Sequence, residues 1–184
     1  MLLMCATSSA QMKWNQSYQT YINQYKDLAI EQMLRYRIPA SITLAQGLFE
    51  SRAGQSDLAR QGNNHFGIKC HNWTGPTQYH DDDARGECFR VYQDAKESYE
   101  DHSRFLAKQP RYSRLFSLNT TDYKGWAHGL KSCGYATNPQ YANKLIQIIE
   151  LYRLQDYDKA KSFDRFMATH SGTDVPINAE GTLH

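Results

Sequence analysis

Apolar positions recur at helical spacing along most of this chain. Between residues 17 and 37, Tyr21, Ile22, Tyr25, Leu28, Ala29 and Met33 fall on one face of a helix. Pro39 is expected to open a second helix, since its fixed φ suits a first turn and its missing N–H costs nothing there. That helix runs through Ile42, Leu44, Ala45, Leu48 and Phe49 to Glu50 and Ser51, and it is apolar on most sides, which predicts burial. Gly54 helps to end it, and Ser56 is a candidate cap for a short helical turn reaching Ala59. The pattern then changes. Residues 62–64 read as a loop, and residues 66–73, 78–82 and 87–92 as short strands separated by turns at 74–76 and 84–86. Helical spacing returns from Asp94 through Tyr99 and Phe105 to Leu106, again over residues 122–131 with Gly134 marking the stop, and last from Pro139 through Tyr141, Leu145, Ile148, Ile149 and Tyr152. Past Asp158 few apolar residues remain, so residues 158–184 read as a tail or linker and residues 11–157 as the folded unit. There is no internal repeat. The fold class this predicts is α+β, mostly helical, with a small β-hairpin lobe.

Composition narrows the function. A chain of 184 residues suits one domain with short tails, and 40% hydrophobic residues can fill a core. A formal charge of +2 with 22% charged residues argues against a disordered polyanion and against a nucleic-acid partner. The 13 Tyr and 3 Trp are the rings that line sugar-binding clefts, although half-buried core positions also take them. Residues 1–10 resemble the back half of a secretory signal peptide, with Ser8 and Ala10 before Gln11 as a cleavage site; the positively charged start is missing, and Cys5 offers lipid attachment as the alternative. No later stretch approaches the roughly 18 apolar residues of a membrane-spanning segment. Cys70 and Cys88 flank the hairpin region and would pair as a disulfide in an oxidising compartment, which leaves Cys133 as a buried free thiol. The rival reading is a zinc site, but without a C-x-x-C or H-x-x-x-H pair no metal is expected.

Two features carry candidate chemistry. Glu50 ends an apolar helix, where lost solvation favours the protonated carboxyl that a glycosidase uses to protonate a leaving oxygen; an ordinary exposed helix-end glutamate is the alternative. Asp81, Asp82 and Asp83 lie in or near the hairpin turn, with alternation placing Asp82 on the face opposite its neighbours. One of them is a candidate second carboxylate. A solvated turn or a weak calcium site would account for the same run.

Four blocks in order resemble glycoside hydrolase family 73, the glucosaminidase family of autolysins and flagellar peptidoglycan hydrolases. They are Ala45-Gln46-Gly47-Leu48-Phe49-Glu50-Ser51 with Gly54 and Ser56, then Asn63-Asn64-His65-Phe66-Gly67-Ile68-Lys69, then Phe89-Arg90-Val91-Tyr92, and finally Gly134-Tyr135-Ala136-Thr137-Asn138-Pro139-Gln140-Tyr141-Ala142. The resemblance implies a lysozyme-like fold and an endo-β-N-acetylglucosaminidase that cuts the β-1,4 bond after N-acetylglucosamine in peptidoglycan glycan strands. It also implies a secreted, periplasmic or cell-wall-associated bacterial protein, monomeric and without a cofactor. By position it implies Glu50 as general acid and Tyr135 as active-site tyrosine, with Gln46, Asn64, Phe66 and Tyr141 at the substrate. The family's hairpin glutamate is absent from Thr77-Gln78-Tyr79-His80-Asp81-Asp82-Asp83, so Asp82 is the first candidate to replace it, and Arg52-Ala53 stand where many members have Gly-Trp. A carboxylate separation of about 5 Å would imply a covalent route and about 6.5–9.5 Å an inverting one. In a third route the substrate's own acetamido group attacks, and Tyr135 would hold it. A muramidase of the same fold and a non-catalytic wall-binding module are the competing functions.

Overall fold

The computed structural model describes residues 11–82 and 84–162. The expected signal segment, Asp83 and all but the first residues of the expected tail lie outside the described residues. Helix α1 (Gln16–Tyr36) starts where the Asn15 side chain accepts a hydrogen bond from the Tyr18 N–H, and it stops at Arg37, which turns left-handed at φ 62°. Helix α2 (Ala40–Glu50) follows at once. Pro39 stands one position earlier than expected, as the residue before the helix with φ −52° and ψ 133°, because an extended ψ is what turns the chain into α2.

Helix α2 runs through the centre of the molecule. Ala40 to Leu48 are buried without a break, so the helix has no wet face until Phe49 and Glu50. It packs against α1, against α5 (Tyr123–Ser132) and α6 (Tyr141–Leu151), and against a 3-10 helix at Leu154–Lys159. That last segment carries ordered chain past the boundary expected at 158. The Asp158 carboxylate is buried there, accepting from the Ser41 N–H at 2.8 Å and the Ser41 hydroxyl at 2.6 Å. An acid at the α2 N-terminus satisfies donors the helix cannot satisfy itself and meets its positive dipole end.

The lobe beside this body is a two-stranded antiparallel hairpin, β1 (Thr77–His80) and β2 (Glu87–Arg90), with Gln78 opposite Phe89 and Tyr79 opposite Cys88. The strand expected over residues 66–73 does not form. Gly67 and His71 take left-handed φ values of 61° and 47°, which break an extended run, and one bridge between Lys69 and Phe89 is all that remains of the pairing. A disulfide joins Cys70 to Cys88 and ties this loop to β2. Helix α3 (Asp57–Gly62), capped by Ser56, and helix α4 (Ala95–Lys108), capped by Asp94, flank the lobe. A 3-10 helix at Pro110–Ser117, without a counterpart in the periodicity, connects α4 to α5. Helix α5 ends at Cys133, with Gly134 left-handed beyond it at φ 80°; Cys133 is half-buried rather than buried, with the Arg114 Nε donating to its sulfur at 3.2 Å. Helix α6 starts two residues after Pro139, because Gln140 serves as its cap residue.

Close approach to α2 depends on Gly47. A Cβ there would stand 2.8 Å from the Tyr21 hydroxyl oxygen and 3.1 Å from that of Tyr99. Those hydroxyls are 3.0 Å apart, and Tyr21 also meets His65 Nδ1 at 2.8 Å, so the rings cannot retreat without giving up buried hydrogen bonds. Gly47→Ala is therefore expected to destabilise the protein by about 1–3 kcal/mol, the usual cost of overpacking. Thermal denaturation followed by circular dichroism reads this; an unchanged or higher Tm would show that α1 and α4 have slack at this point.

Candidate active site

Because α2 stays buried until its last turn, it delivers Glu50 to the surface at one defined place. The chain after it turns sharply. The Ser51 hydroxyl donates to the Gly47 carbonyl at 2.5 Å and accepts from the Gly54 N–H at 2.8 Å, and Arg52, Ala53 and Gly54 are left-handed in succession at φ 50°, 56° and 77°. Glu50 thus lies in the wall of a cleft of about 410 Å³. Phe49, Phe66 and Ile68 provide apolar wall, Tyr135 and Tyr141 face from the segment around α6, and Asp82 faces from the hairpin turn.

Burial pushes the Glu50 carboxyl up from the usual carboxylate range to about 7; a hydrogen bond from Tyr141 pulls it down, and the charge of Asp82 pushes it further up. Burial also holds the Tyr135 and Tyr141 phenols far above their usual range, so both remain proton donors. The two rings stack at 5.7 Å between centroids and 22° between planes.

Behind Tyr141 runs a buried polar chain. Gln46 Nε2 donates to the Tyr141 hydroxyl at 2.9 Å, which leaves Gln46 Oε1 as acceptor for His102 Nε2 at 3.1 Å. The geometry fixes the directions: an amide oxygen accepts only, so His102 carries its proton on Nε2, and the tyrosine lone pair taken by Gln46 leaves its O–H to point at Glu50. Burial lowers His102 to about 3, which keeps it neutral and the chain free of a buried charge. Phe66 stacks on the His102 ring at 3.9 Å and 15° and covers it from the cleft.

The expected site residues separate into two groups. Glu50, Asp82, Phe66, Tyr135 and Tyr141 come together around the cleft. Gln46 does not reach it. As a fully buried residue it cannot touch substrate directly, and its amide orients Tyr141 instead. Asn64 is also fully buried; its Oδ1 accepts from the Ile68 N–H and its Nδ2 donates to the Ile68 and Arg90 carbonyls, so it shapes the loop under the cleft rather than binding there. Asp81 accepts from the Gly86 N–H at 2.7 Å, which closes the hairpin turn, and it does not line the cleft. Asp83 lies outside the described residues. Sequence reasoning passed over His102 and Arg111. His102 had only its place on the buried stripe of α4 as a signal, and Arg111, exposed beside Pro110, had none. Among the described residues no group of three or more His, Cys, Asp or Glu side chains is arranged to hold a metal ion.

A helical body, a hairpin lobe and, in the cleft between them, a carboxyl raised to about 7 by burial make up a lysozyme-like architecture. The chain belongs to the glucosaminidase family, described as mannosyl-glycoprotein endo-beta-N-acetylglucosaminidase, whose pattern matches residues 26–154. It is 35% identical over 136 residues to the exo-glucosaminidase LytG of Bacillus subtilis (strain 168), which covers 68% of this chain and 48% of LytG. The chain thus spans about half the length of the curated relatives it matches, or less. Among solved structures it resembles the catalytic domain of the autolysin Auto from Listeria monocytogenes, with TM-score 0.66 and 30% identity over 80% of this chain and 91% of that one. It also resembles the glycoside hydrolase domain of FlgJ from Salmonella typhimurium, with TM-score 0.63 and 25% identity over 83% of this chain and 98% of that one.

Two substitutions should move the Glu50 titration in opposite directions. Tyr141→Phe removes the hydrogen bond that favours the carboxylate, so the Glu50 pKa rises; Asp82→Asn removes a neighbouring negative charge, so it falls. Carbon-detected NMR titration of the Glu50 carboxyl reads both. Shifts of the same sign would mean that Glu50 is not coupled to these groups as the geometry requires.

Proposed function

We propose that this protein is a peptidoglycan hydrolase, an endo-β-N-acetylglucosaminidase that cleaves the β-1,4 bond after N-acetylglucosamine in cell-wall glycan strands. The observation that carries the proposal is the Glu50 carboxyl, held near pKa 7 in a cleft that Asp82 also lines. Glu50 acts as general acid and protonates the leaving glycosidic oxygen. Asp82 stabilises the positive charge that develops at the sugar, directly or by orienting the attacking group. Tyr135, stacked on Tyr141 and still protonated, offers its O–H to the substrate acetamido group. Gln46 and His102 position the Tyr141 hydroxyl and through it Glu50. Export suits this substrate, and the Cys70–Cys88 cross-link is of a kind that persists in oxidising compartments.

The test is digestion of purified peptidoglycan by the protein and by Glu50→Gln, followed by borohydride reduction and mass analysis of the new ends. Wild type is expected to release fragments ending in reduced N-acetylglucosamine, and the variant to lose activity by at least a hundredfold while remaining folded. New ends in muramic acid would assign the other bond, release from strand ends alone would make the enzyme an exo-hydrolase, and no release by folded wild type would remove the hydrolase reading.

The pH dependence follows from the same carboxyl. General-acid activity needs protonated Glu50, so kcat/KM is expected to fall as pH rises through about 7. Stability runs the same way. A carboxyl raised from 4.5 to about 7 on folding binds its proton more tightly in the native state, so its ionisation makes wild type progressively less stable as pH rises from about 4.5 through about 7. The Tm advantage of Glu50→Gln over wild type should therefore be larger at pH 8 than at pH 4. A constant difference between the two proteins would contradict the assignment.

A further inference from the structure

The cleft holds a cation that the proposed chemistry does not use. Arg111, exposed at the start of the 3-10 helix Pro110–Ser117, lines the same cleft as Glu50. Its guanidinium carbon lies 4.7 Å from the centroid of the Tyr112 ring, and a Cβ at Gly134 would come within 4.0 Å of its Nη1, so the head group is laid along one wall between these residues. Two neighbouring cations already have acids: Lys69 pairs with Glu87 at 2.8 Å and Arg90 with Asp101 at 2.9 Å. Among the described residues no carboxylate pairs with Arg111.

We propose that Arg111 forms a carboxylate-binding subsite in the cleft, one that takes an acidic group carried by the muramic-acid unit of the glycan; this rests on the glycan-hydrolase reading above. A planar guanidinium with its hydrogen-bonding edge open, stacked on an aromatic face that restricts its motion, is suited to bidentate capture of a carboxylate. Its position matters as much as its charge. Arg111 acts electrostatically on Tyr135, Tyr112 and His71, whereas the influences on Glu50 are burial, Tyr141 and Asp82. The cation therefore flanks the reaction centre. A substrate carboxylate drawn to it stands away from Glu50 and from the negative charge of Asp82, which would repel it. N-acetylglucosamine carries no acid, so a carboxylate in the strand marks the muramic-acid unit and fixes the register in which the chain lies across Glu50. That acid can be the α- or ω-carboxylate of a stem peptide or, where the stem has been removed, the lactyl carboxylate itself.

Binding rather than turnover tests this. Calorimetry would compare Glu50→Gln with the double variant Glu50→Gln/Arg111→Ala on three soluble strands. One carries intact stems, one is stripped by an amidase so that the lactyl carboxylate is free, and one is stripped with that carboxylate converted to a methylamide. Arg111→Ala is expected to weaken binding about tenfold or more on at least one acidic strand and by less than twofold on the neutralised one, with Arg111→Lys recovering part of the loss. Loss confined to the first strand assigns the stem carboxylate, and loss confined to the second assigns the lactyl group. Equal loss on all three strands, or loss on none, overturns the subsite, as does binding of none of them by the parent protein. Circular dichroism of each variant separates misfolding from lost contact, and Arg111→Gln repeats the test should the alanine variant fail to fold. Tight, Arg111-dependent binding by a wild type that releases no new ends would overturn the hydrolase reading and keep this one.

Discussion

The burial of α2 is the constraint from which the site follows. A helix without an exposed face from Ala40 to Leu48 must be enclosed by other elements, and α1, α5, α6 and the Leu154–Lys159 segment enclose it. Its ends are then special. At the start, Asp158 supplies acceptors for donors the helix cannot satisfy. At the other end the helix leaves the core within one turn, and the carboxyl of Glu50 is left where desolvation has already shifted it but substrate can still reach it. The same burial that stabilises the fold sets the protonation of this group.

Polar side chains inside such a core are costly to leave without partners, and here three of them form an ordered line of donors. His102, Gln46 and Tyr141 satisfy one another in a single direction that ends at Glu50. A neutral His102 keeps that line free of charge, because an imidazolium would bring an unpaired charge into the core. Phe66 belongs to both systems, since one face of its ring packs on His102 and the ring also forms cleft wall. Scaffold and site are thus the same residues viewed from two sides, which is why the blocks around Gln46, Asn64 and Tyr141 contain so many buried polar groups.

The hairpin lobe contributes differently. It is small, has two strands, and depends on the Cys70–Cys88 link, on Asn64 beneath the loop and on the Asp81 turn for its shape. Asp82 therefore rides on a short exposed turn rather than on a packed helix, in contrast to Glu50. One acid is held rigidly at the end of the core helix and the other is carried by a lobe, with Arg111 set to one side on the Tyr112 wall.

Much of this was legible in the order of residues. Helical periodicity located α1, α2, α4, α5 and α6, the caps Ser56 and Asp94 stood where their side chains accept hydrogen bonds, and an apolar helix ending in Glu50 already implied a desolvated carboxyl. These are local properties, fixed by spacing and side-chain chemistry within a few residues. What the sequence left open depends on contacts between distant segments. The third strand failed because two left-handed residues and a buried Asn64 outweighed strand propensity. Gln46 turned inward because Tyr141, 95 positions away, offers it a hydroxyl. His102 and Arg111 acquired their places only when α4 and the 3-10 helix folded against the cleft. Periodicity can say which face of a helix is buried, but only the packed structure decides what a buried amide will bond to, since that partner is chosen by distance in space and not along the chain.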